Sequence, residues 1–189
     1  MKYRESGMPD ECLWDSFFEP EQILRELGVN NNVNHLLDIG CGYGTFLLKA
    51  AQLIKGTAIG IDIDGAMIEV CRTKFQNIGI KNAILFHGDI TTLQRQEISG
   101  FKGKIDYICL FNILHCEEPE ELLSLAMSIL DRDGKVGVIH WQQGNTPRGP
   151  SIKIRPSPSA IIQWASNVGL IVEKQVNLPP YHYGLVFRK

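Results

Sequence analysis

An acid and three glycines lie within seven residues of one another, directly after a short apolar run. Residues 35–45 read HLLDIGCGYGT, in which Asp38 precedes Gly40, Gly42 and Gly44. Glycine is costly inside regular structure, so a cluster of this kind has a local purpose. A glycine-rich turn from a strand into a helix lets a ligand approach bare backbone amides at the helix N-terminus. The stretch therefore predicts a ligand-binding turn.

Two ligand classes use such a turn, dinucleotides and S-adenosylmethionine. The dinucleotide pattern G-x-G-x-x-G would need a third glycine at position 45, which is Thr45. The carboxylate of Asp38 would also oppose the two phosphate charges of a dinucleotide, whereas it suits an ammonium or sulfonium. These residues favour S-adenosylmethionine, and a nicotinamide oxidoreductase is the disfavoured alternative.

Short apolar strands alternate with amphipathic helices along the chain. The predicted strands are 35–40, 57–62, 82–89, 104–112, 134–141, 170–178 and 183–189. The predicted helices are 44–54, 64–77, 119–130 and 158–169, with a further amphipathic helix within residues 9–24. This order implies an α/β fold with a doubly wound parallel sheet. The last two strands form an antiparallel hairpin, because their connection is too short for a crossover.

Ligands of open α/β sheets bind beyond the carboxyl ends of the strands. Those ends carry the glycine turn at residues 40–44, followed by Asp62, Asp89, Asn112 and Trp141. We therefore expect these side chains to lie at one edge of the sheet.

On these residues the sequence resembles the class I S-adenosylmethionine-dependent methyltransferases. Residues 38–44 look like the first motif of that family, 60–64 like the second and 87–90 like the third. Residues 105–139 are similar to the region from its fourth to its fifth strand. The resemblance implies a Rossmann-like seven-stranded sheet in the order 3-2-1-4-5-7-6, with the last strand antiparallel. It also implies methyl transfer from S-adenosylmethionine, with S-adenosylhomocysteine as the product.

The resemblance assigns roles to individual residues. Asp62 would bind the ribose hydroxyls, and Asp89 would accept a hydrogen bond from the adenine amino group. Ile63 and Ile90 would enclose the adenine ring, and the methionine part would lie near Phe111 and Asn112. The cofactor-binding residues predicted in this way are Asp38, Gly40, Cys41, Gly42, Gly44, Asp62, Ile63, Asp89, Ile90, Phe111 and Asn112.

Candidates for contact with a methyl acceptor lie at other strand ends and at the N-terminus. A hydroxyl acceptor needs a general base, for which the candidates are His115, His140 and His182. Residues that could line the acceptor site are Tyr3, Trp14, Trp141, Arg148 and Tyr181. The 142–157 loop is long for a compact domain, and its cations Arg148, Lys153 and Arg155 could hold an anionic acceptor. The family commonly closes this site with N-terminal helices, so residues 1–34 are predicted to form a helical lid over a methyltransferase domain at 35–189.

Composition limits the remaining possibilities. A net charge of −2 gives no basic field for a polyanion. The segment NLPPY, residues 177–181, is similar to a motif of nucleic-acid amino-methyltransferases, but those enzymes carry the motif at the end of the fourth strand, far from this position. We therefore expect a small-molecule acceptor, no nucleic-acid partner, no membrane span, and a monomer or homodimer. No metal-ligand cluster stands out. Five cysteines without a CxxC pair, and no apolar leader, favour a cytoplasmic protein. A non-catalytic S-adenosylmethionine-binding or partner-regulating protein is the alternative function.

Overall fold

The computed structural model describes residues 9–93 and 97–189. Seven strands of the described chain form one sheet: β1 (His35–Ile39), β2 (Thr57–Asp62), β3 (Ala83–His87), β4 (Ile105–Phe111), β5 (Leu130–Trp141), β6 (Ile171–Leu178) and β7 (His182–Arg188). Their order across the sheet is β3-β2-β1-β4-β5-β7-β6. Strands β1 to β5 are parallel, and β7 is antiparallel to both β5 and β6. The predicted fold class and strand order are confirmed.

Helices cover both faces of this sheet. They are α1 (Glu11–Asp15), α2 (Pro20–Glu26), α3 (Thr45–Leu53), α4 (Gly65–Ile78), α5 (Ile90–Leu93), α6 (Pro119–Ile129) and α7 (Pro158–Asn167), with a short 3-10 helix at Ser99–Phe101. Apolar residues of α2, α3 and α4 form a core on one face, and those of α5, α6 and α7 form a core on the other. Strand β4 lies between β1 and β5 and is buried over almost all of its length, as its apolar sequence predicts. Among the described residues, no helix has the length and apolarity that a bilayer span requires.

Local sequence explains where the helices next to the site begin. The side chain of Asp64 accepts a hydrogen bond from the amide of Ala66 and so caps α4, which ends at Gly79 in the left-handed conformation. The hydroxyl of Ser157 caps α7 in the same way through the amide of Ala160. The first cap fixes the start of α4 after the end of β2, and the second fixes the start of α7 after the 142–157 loop.

The structure departs most from the predicted elements at two places. The N-terminal segment forms two short helices instead of one, because Pro20 disfavours the helical conformation at Glu19, whose φ and ψ are −107° and 81°. Strand β5 begins at Leu130, directly after α6, instead of at residue 134. Its pairing with β4 shifts register between Ile105 and Tyr107, which accommodates these extra residues.

Tyr107 attaches the N-terminal helices to the sheet. Its buried hydroxyl donates a 2.8 Å hydrogen bond to the carbonyl oxygen of Leu27, the residue that follows α2. Tyr107→Phe is expected to lower the free energy of unfolding by about 1–3 kcal/mol, because it leaves this buried carbonyl without its donor. Urea denaturation measures the change. Tyr43→Phe is the control, since its hydroxyl donates to Pro9 in a more exposed position, and an equal loss in both variants would contradict the prediction.

Candidate functional site

A cavity of about 420 Å³ opens at the carboxyl ends of β1, β2, β4 and β5. Of the residues predicted from sequence, those that line it are Asp38, Gly40, Cys41, Gly42, Asp62, Ile63, Ile90, Phe111, Asn112, Trp14, His115, Trp141 and Arg148. Those that the structure does not bring to its wall are Gly44, Asp89, His140, His182 and Tyr181. Tyr3 lies outside the described residues. The strand-end prediction therefore leads to one continuous cavity that combines candidate cofactor and acceptor residues.

The glycine turn at residues 40–44 forms one wall of this cavity. Gly40, Gly42 and Gly44 all have positive φ values, of 78°, 52° and 74°. The amides of Gly40 and Cys41 both donate to the carbonyl of Ile61, at 2.8 and 3.0 Å, which holds the turn against the end of β2. Glycine is needed here because the left-handed conformation is strained for other residues. The backbone itself is therefore presented to the cavity.

Gly44 has a second constraint, because a Cβ atom added to it would lie 2.8 Å from Sγ of Cys71 and 3.3 Å from the ring of Phe75. Gly44→Ala is expected to lower the free energy of unfolding by about 2–3 kcal/mol through strained φ and this overlap. Gly79→Ala is a matched control, since Gly79 has a φ of 79° and a Cβ added to it would have no neighbour within 4 Å. It should lose only about 1 kcal/mol, the cost of the left-handed conformation for a residue with a Cβ atom. Thermal denaturation of both variants tests the difference, and equal losses would count against the overlap.

Asp38 is a buried carboxyl group on the cavity wall. It lies in β1 and is only 3% exposed. Burial, and then the charge of Asp62, raise its pKa from 3.8 to about 7. A carboxylate in this position is costly for the protein alone, and a bound cation would offset that cost.

Asp62 connects the glycine turn to the start of α4. Its Oδ2 accepts from the amide of Gly42 at 2.8 Å, and its Oδ1 accepts from the amide of Asp64 at 2.9 Å. Ile63, the next residue, lines the cavity and remains 51% exposed, whereas Ile90, which also lines the cavity, is buried. An exposed isoleucine beside an anchored acid suits a flat apolar group such as a purine ring.

Asp89 lies next to this region without lining the cavity. Its Oδ1 accepts from both the amide and the hydroxyl of Thr91, at 2.8 and 2.7 Å. Partial burial opposes the charged form, but these hydrogen bonds help to hold its pKa below the usual value. Gly88 and Ile90 on either side of it do line the cavity. Its contact with an adenine amino group stays a prediction.

Asn112 carries a buried side-chain amide in the cavity lining. Its Nδ2 and Oδ1 have no hydrogen-bond partner among the described residues, although both are buried and the residue lines the cavity. Its backbone has the unusual φ of 55°, and its backbone N–H donates to the carbonyl oxygen of Ile139 at 2.8 Å. Leaving both ends of a buried amide unsatisfied is expensive, so the side chain is suited to a polar ligand. The ammonium and carboxylate of an amino acid provide both kinds of partner.

The N-terminal segment covers the glycine turn. Pro9 and Trp14 line the cavity. The hydroxyl of Tyr43 donates to the Pro9 carbonyl at 3.1 Å, and Thr45 donates to Oδ1 of Asp15 at 2.5 Å. An ion pair between Glu11 and Lys74 lies beside these contacts. The described part of this segment is therefore attached to the helices that flank the site.

The three candidate histidines have different surroundings. His115 is buried and lines the cavity. His140 is fully buried with its ring centroid 5.5 Å from that of His115, and burial, then the charge of His115, lower its pKa to about 3. The ring centroid of His182 lies 4.1 Å from that of Trp141, and burial, then Arg155, lower its pKa to about 3. His115 is the one of these three that a ligand in the cavity could contact.

Arg155 holds the 142–157 loop together instead of facing the cavity. The residue is 7% exposed, and its guanidinium donates to the carbonyls of Gln142 at 2.7 Å, Pro150 at 2.8 Å and Gly144 at 3.2 Å. It also lies over the ring of Trp141, 5.9 Å from its centroid. The sequence suggested this cation as a possible substrate contact, and its contacts in the folded loop instead make it structural.

Several lining residues were not predicted from the sequence to contact a ligand. They are Pro9, Thr45, Phe46, Asp64, Met67, Gly88, Ile113, Cys116 and Gly149. Most of them adjoin a predicted site residue, and this position next to a motif is the one feature of the sequence that could have identified them. Phe46 and Met67 lie on the first turns of α3 and α4, where the direction of the helix decides which side chain faces the cavity.

A sheet in this order, with a glycine turn after β1 and an acid as the last residue of β2, is the class I methyltransferase fold. The chain belongs to the methyltransferase domain family, whose model matches residues 36–134. A structure of an S-adenosylmethionine-dependent methyltransferase from Aquifex aeolicus shares the fold, with a TM-score of 0.79 and 21% identity over 95% of this chain and 93% of that one. The predicted family is confirmed.

Curated relatives differ in the acceptors that their names give. A tRNA1(Val) (adenine(37)-N6)-methyltransferase of Shewanella frigidimarina is 27% identical over 77% of this chain and 61% of the relative. A probable cobalt-precorrin-6B C(15)-methyltransferase of Saccharolobus solfataricus is 27% identical over 53% of this chain and 49% of the relative. The chain thus spans about half to three fifths of the length of these relatives. Their names select no single acceptor class.

Proposed function

We propose that this protein binds S-adenosylmethionine in the cavity and transfers its methyl group to a small-molecule acceptor. The observation that carries the proposal is the presence in one cavity lining of a buried acid, Asp38, and of the buried amide of Asn112, which has no hydrogen-bond partner among the described residues. Together they match the ammonium and carboxylate of the methionine part. When bound, the cofactor supplies an electrophilic methyl group on a sulfonium.

Different residues of the cavity would contact different parts of the cofactor. Asp62 would hold the ribose end against the backbone of the glycine turn, with Ile63 and Ile90 beside the adenine. Phe111 would pack against the methionine part. These residues bind and orient, and positioning alone supplies much of the rate of a displacement whose leaving group is already good.

A small acceptor fits the dimensions of the site. The cavity of about 420 Å³ has Trp14 and Trp141 on its wall and has to hold the cofactor as well. A net charge of −2 also disfavours a polyanionic acceptor such as a nucleic acid. Residues 1–34 would act as the lid, since Trp14 lines the cavity and its segment is attached to the glycine turn.

Calorimetry with S-adenosylmethionine and S-adenosylhomocysteine tests binding. Formation of S-adenosylhomocysteine in pools of small molecules, with bulk tRNA in parallel, tests transfer and acceptor class. Failure to bind either ligand would exclude the proposal, and transfer to tRNA alone would exclude the small-molecule part. Binding without transfer to any pool would instead support the alternative of a non-catalytic binding protein.

We also propose that His115 contacts the acceptor, as a base where the accepting atom is a hydroxyl. Its support is its position on the cavity wall, in contrast to His140 and His182. His115→Gln should lower turnover and flatten its dependence on pH while S-adenosylhomocysteine affinity stays unchanged. Loss of cofactor affinity in equal measure would argue for a merely structural histidine.

A further inference from the structure

We propose that the acceptor is a small, flat molecule that carries an oxyanion, a carboxylate or phosphate, which Arg148 binds at the mouth of the cavity. This inference rests on the proposed function and adds the chemical class of its substrate. It follows from the distribution of charge around the cavity and from the way in which the 142–157 loop presents one side chain.

The charges on the cavity wall are separated. The acids Asp38, Asp62 and Asp64 all belong to the β1 and β2 ends, where the cofactor is proposed to bind. Among the described lining residues, Arg148 is the only lysine or arginine, and it comes from the loop after β5. The positive charge of this arginine would repel a cationic acceptor. It would attract an anionic acceptor and so keep that acceptor apart from the acids.

The backbone that carries Arg148 is held firmly. Its carbonyl accepts from the hydroxyl of Thr146 at 2.7 Å, and Arg155 bonds the carbonyls on both sides of it along the loop. The following residue, Gly149, has a φ of 103° and lies so close to Trp141 that a Cβ would be 2.7 Å from Cδ2 of the indole. Arg155 and Gly149 thus hold the loop in place at the mouth of the cavity, while Arg148 itself stays exposed.

Aromatic side chains line the cavity together with Arg148. The half-buried Trp14 and the buried His115 belong to the lining, and Trp141 lies against Gly149, the residue that follows Arg148. Aromatic walls with one guanidinium suit a planar apolar body with a single oxyanion, because the guanidinium binds carboxylates and phosphates through paired hydrogen bonds.

The test uses the full chain saturated with S-adenosylhomocysteine, at low ionic strength. The probes are benzoate and phenyl phosphate as the two oxyanion sources, benzamide as the neutral counterpart of benzoate, and benzylamine as the cation. Ligand-observed NMR titration should show an oxyanion probe binding at least about tenfold more tightly than benzamide. Which of the two oxyanions binds more tightly identifies the source.

Substitutions assign that preference to one side chain. Arg148→Gln should abolish it, Arg148→Lys should retain part of it, and Lys153→Gln, which removes an exposed cation of the same loop away from the cavity, should leave it unchanged. Equal binding of benzoate and benzamide, tighter binding of benzylamine, no binding of any probe, or a preference that survives in Arg148→Gln would each overturn the inference. Each of these results is obtained with S-adenosylhomocysteine bound. If the protein does not bind S-adenosylhomocysteine at all, the proposed function itself fails instead.

Discussion

Replacing Asp38 with asparagine is expected to stabilise the ligand-free protein at pH 8 and to weaken its binding of S-adenosylhomocysteine. Burial, and then Asp62, raise the pKa of this carboxyl group from 3.8 to about 7, so the folded protein binds the proton more tightly than the unfolded chain. The group therefore costs no stability at low pH, and its cost grows between about pH 4 and pH 7 and is complete above that range. At 1.36 kcal/mol per pKa unit, Asp38→Asn should gain up to about 4 kcal/mol at pH 8.

The same ionisation should govern cofactor affinity in the opposite direction. An ionised Asp38 attracts the ammonium of S-adenosylhomocysteine, so binding by the unaltered protein should strengthen up to about tenfold per pH unit as pH rises toward about 7 and then level off. Asp38→Asn should bind more weakly at pH 8 and show a nearly flat profile. Calorimetry across this range measures both, with denaturation in parallel.

Asp133→Asn is the control for these measurements, because Asp133 is an exposed carboxylate at the opposite end of β5. It should change neither stability nor affinity by more than a small amount. A less stable Asp38→Asn protein at pH 8, or an affinity profile that keeps its slope in that variant, would show that Asp38 does not carry the titration.

The sequence was informative wherever a local rule decides the structure. The glycine turn and Asp62 follow from chain order and from the rule that parallel strands present their carboxyl ends at one edge. Pairing of β1 with both β2 and β4 then brings Asp38, Asp62 and Asn112 to a single cavity. None of these positions depends on how a long loop folds.

Positions that depend on tertiary packing were not predictable in the same way. Arg155 is one of three loop cations in the sequence, and only the folded loop turns it inward onto carbonyl groups. His140 and His182 follow the alternation of neighbouring strands, which buries one beside Tyr183 and the other beside Phe18 and Trp141. A strand-end position was therefore not enough to identify a base.

Asp62→Ala is expected to weaken S-adenosylhomocysteine binding about 100-fold. The side chain accepts from the amides of Gly42 and Asp64, so its removal releases the glycine turn and also deletes the proposed acceptor of the ribose hydroxyls. Charge-assisted hydrogen bonds contribute about 1.5–3 kcal/mol each, and the loss of two at the lower end of that range, about 3 kcal/mol, accounts for this magnitude. Calorimetry measures it, with Asp133→Asn again as the control because Asp133 is an exposed carboxylate away from the cavity.

Adenosine separates the two acids from each other, because it has the ribose and the purine but no ammonium. Asp62→Ala should weaken adenosine binding about as strongly as S-adenosylhomocysteine binding. Asp38→Asn should weaken only the latter, since the ammonium is the group that it loses. Unchanged binding of S-adenosylhomocysteine in Asp62→Ala would exclude the ribose assignment. An equal response of both ligands to Asp38→Asn would mean that Asp38 supports the turn and does not face the methionine part.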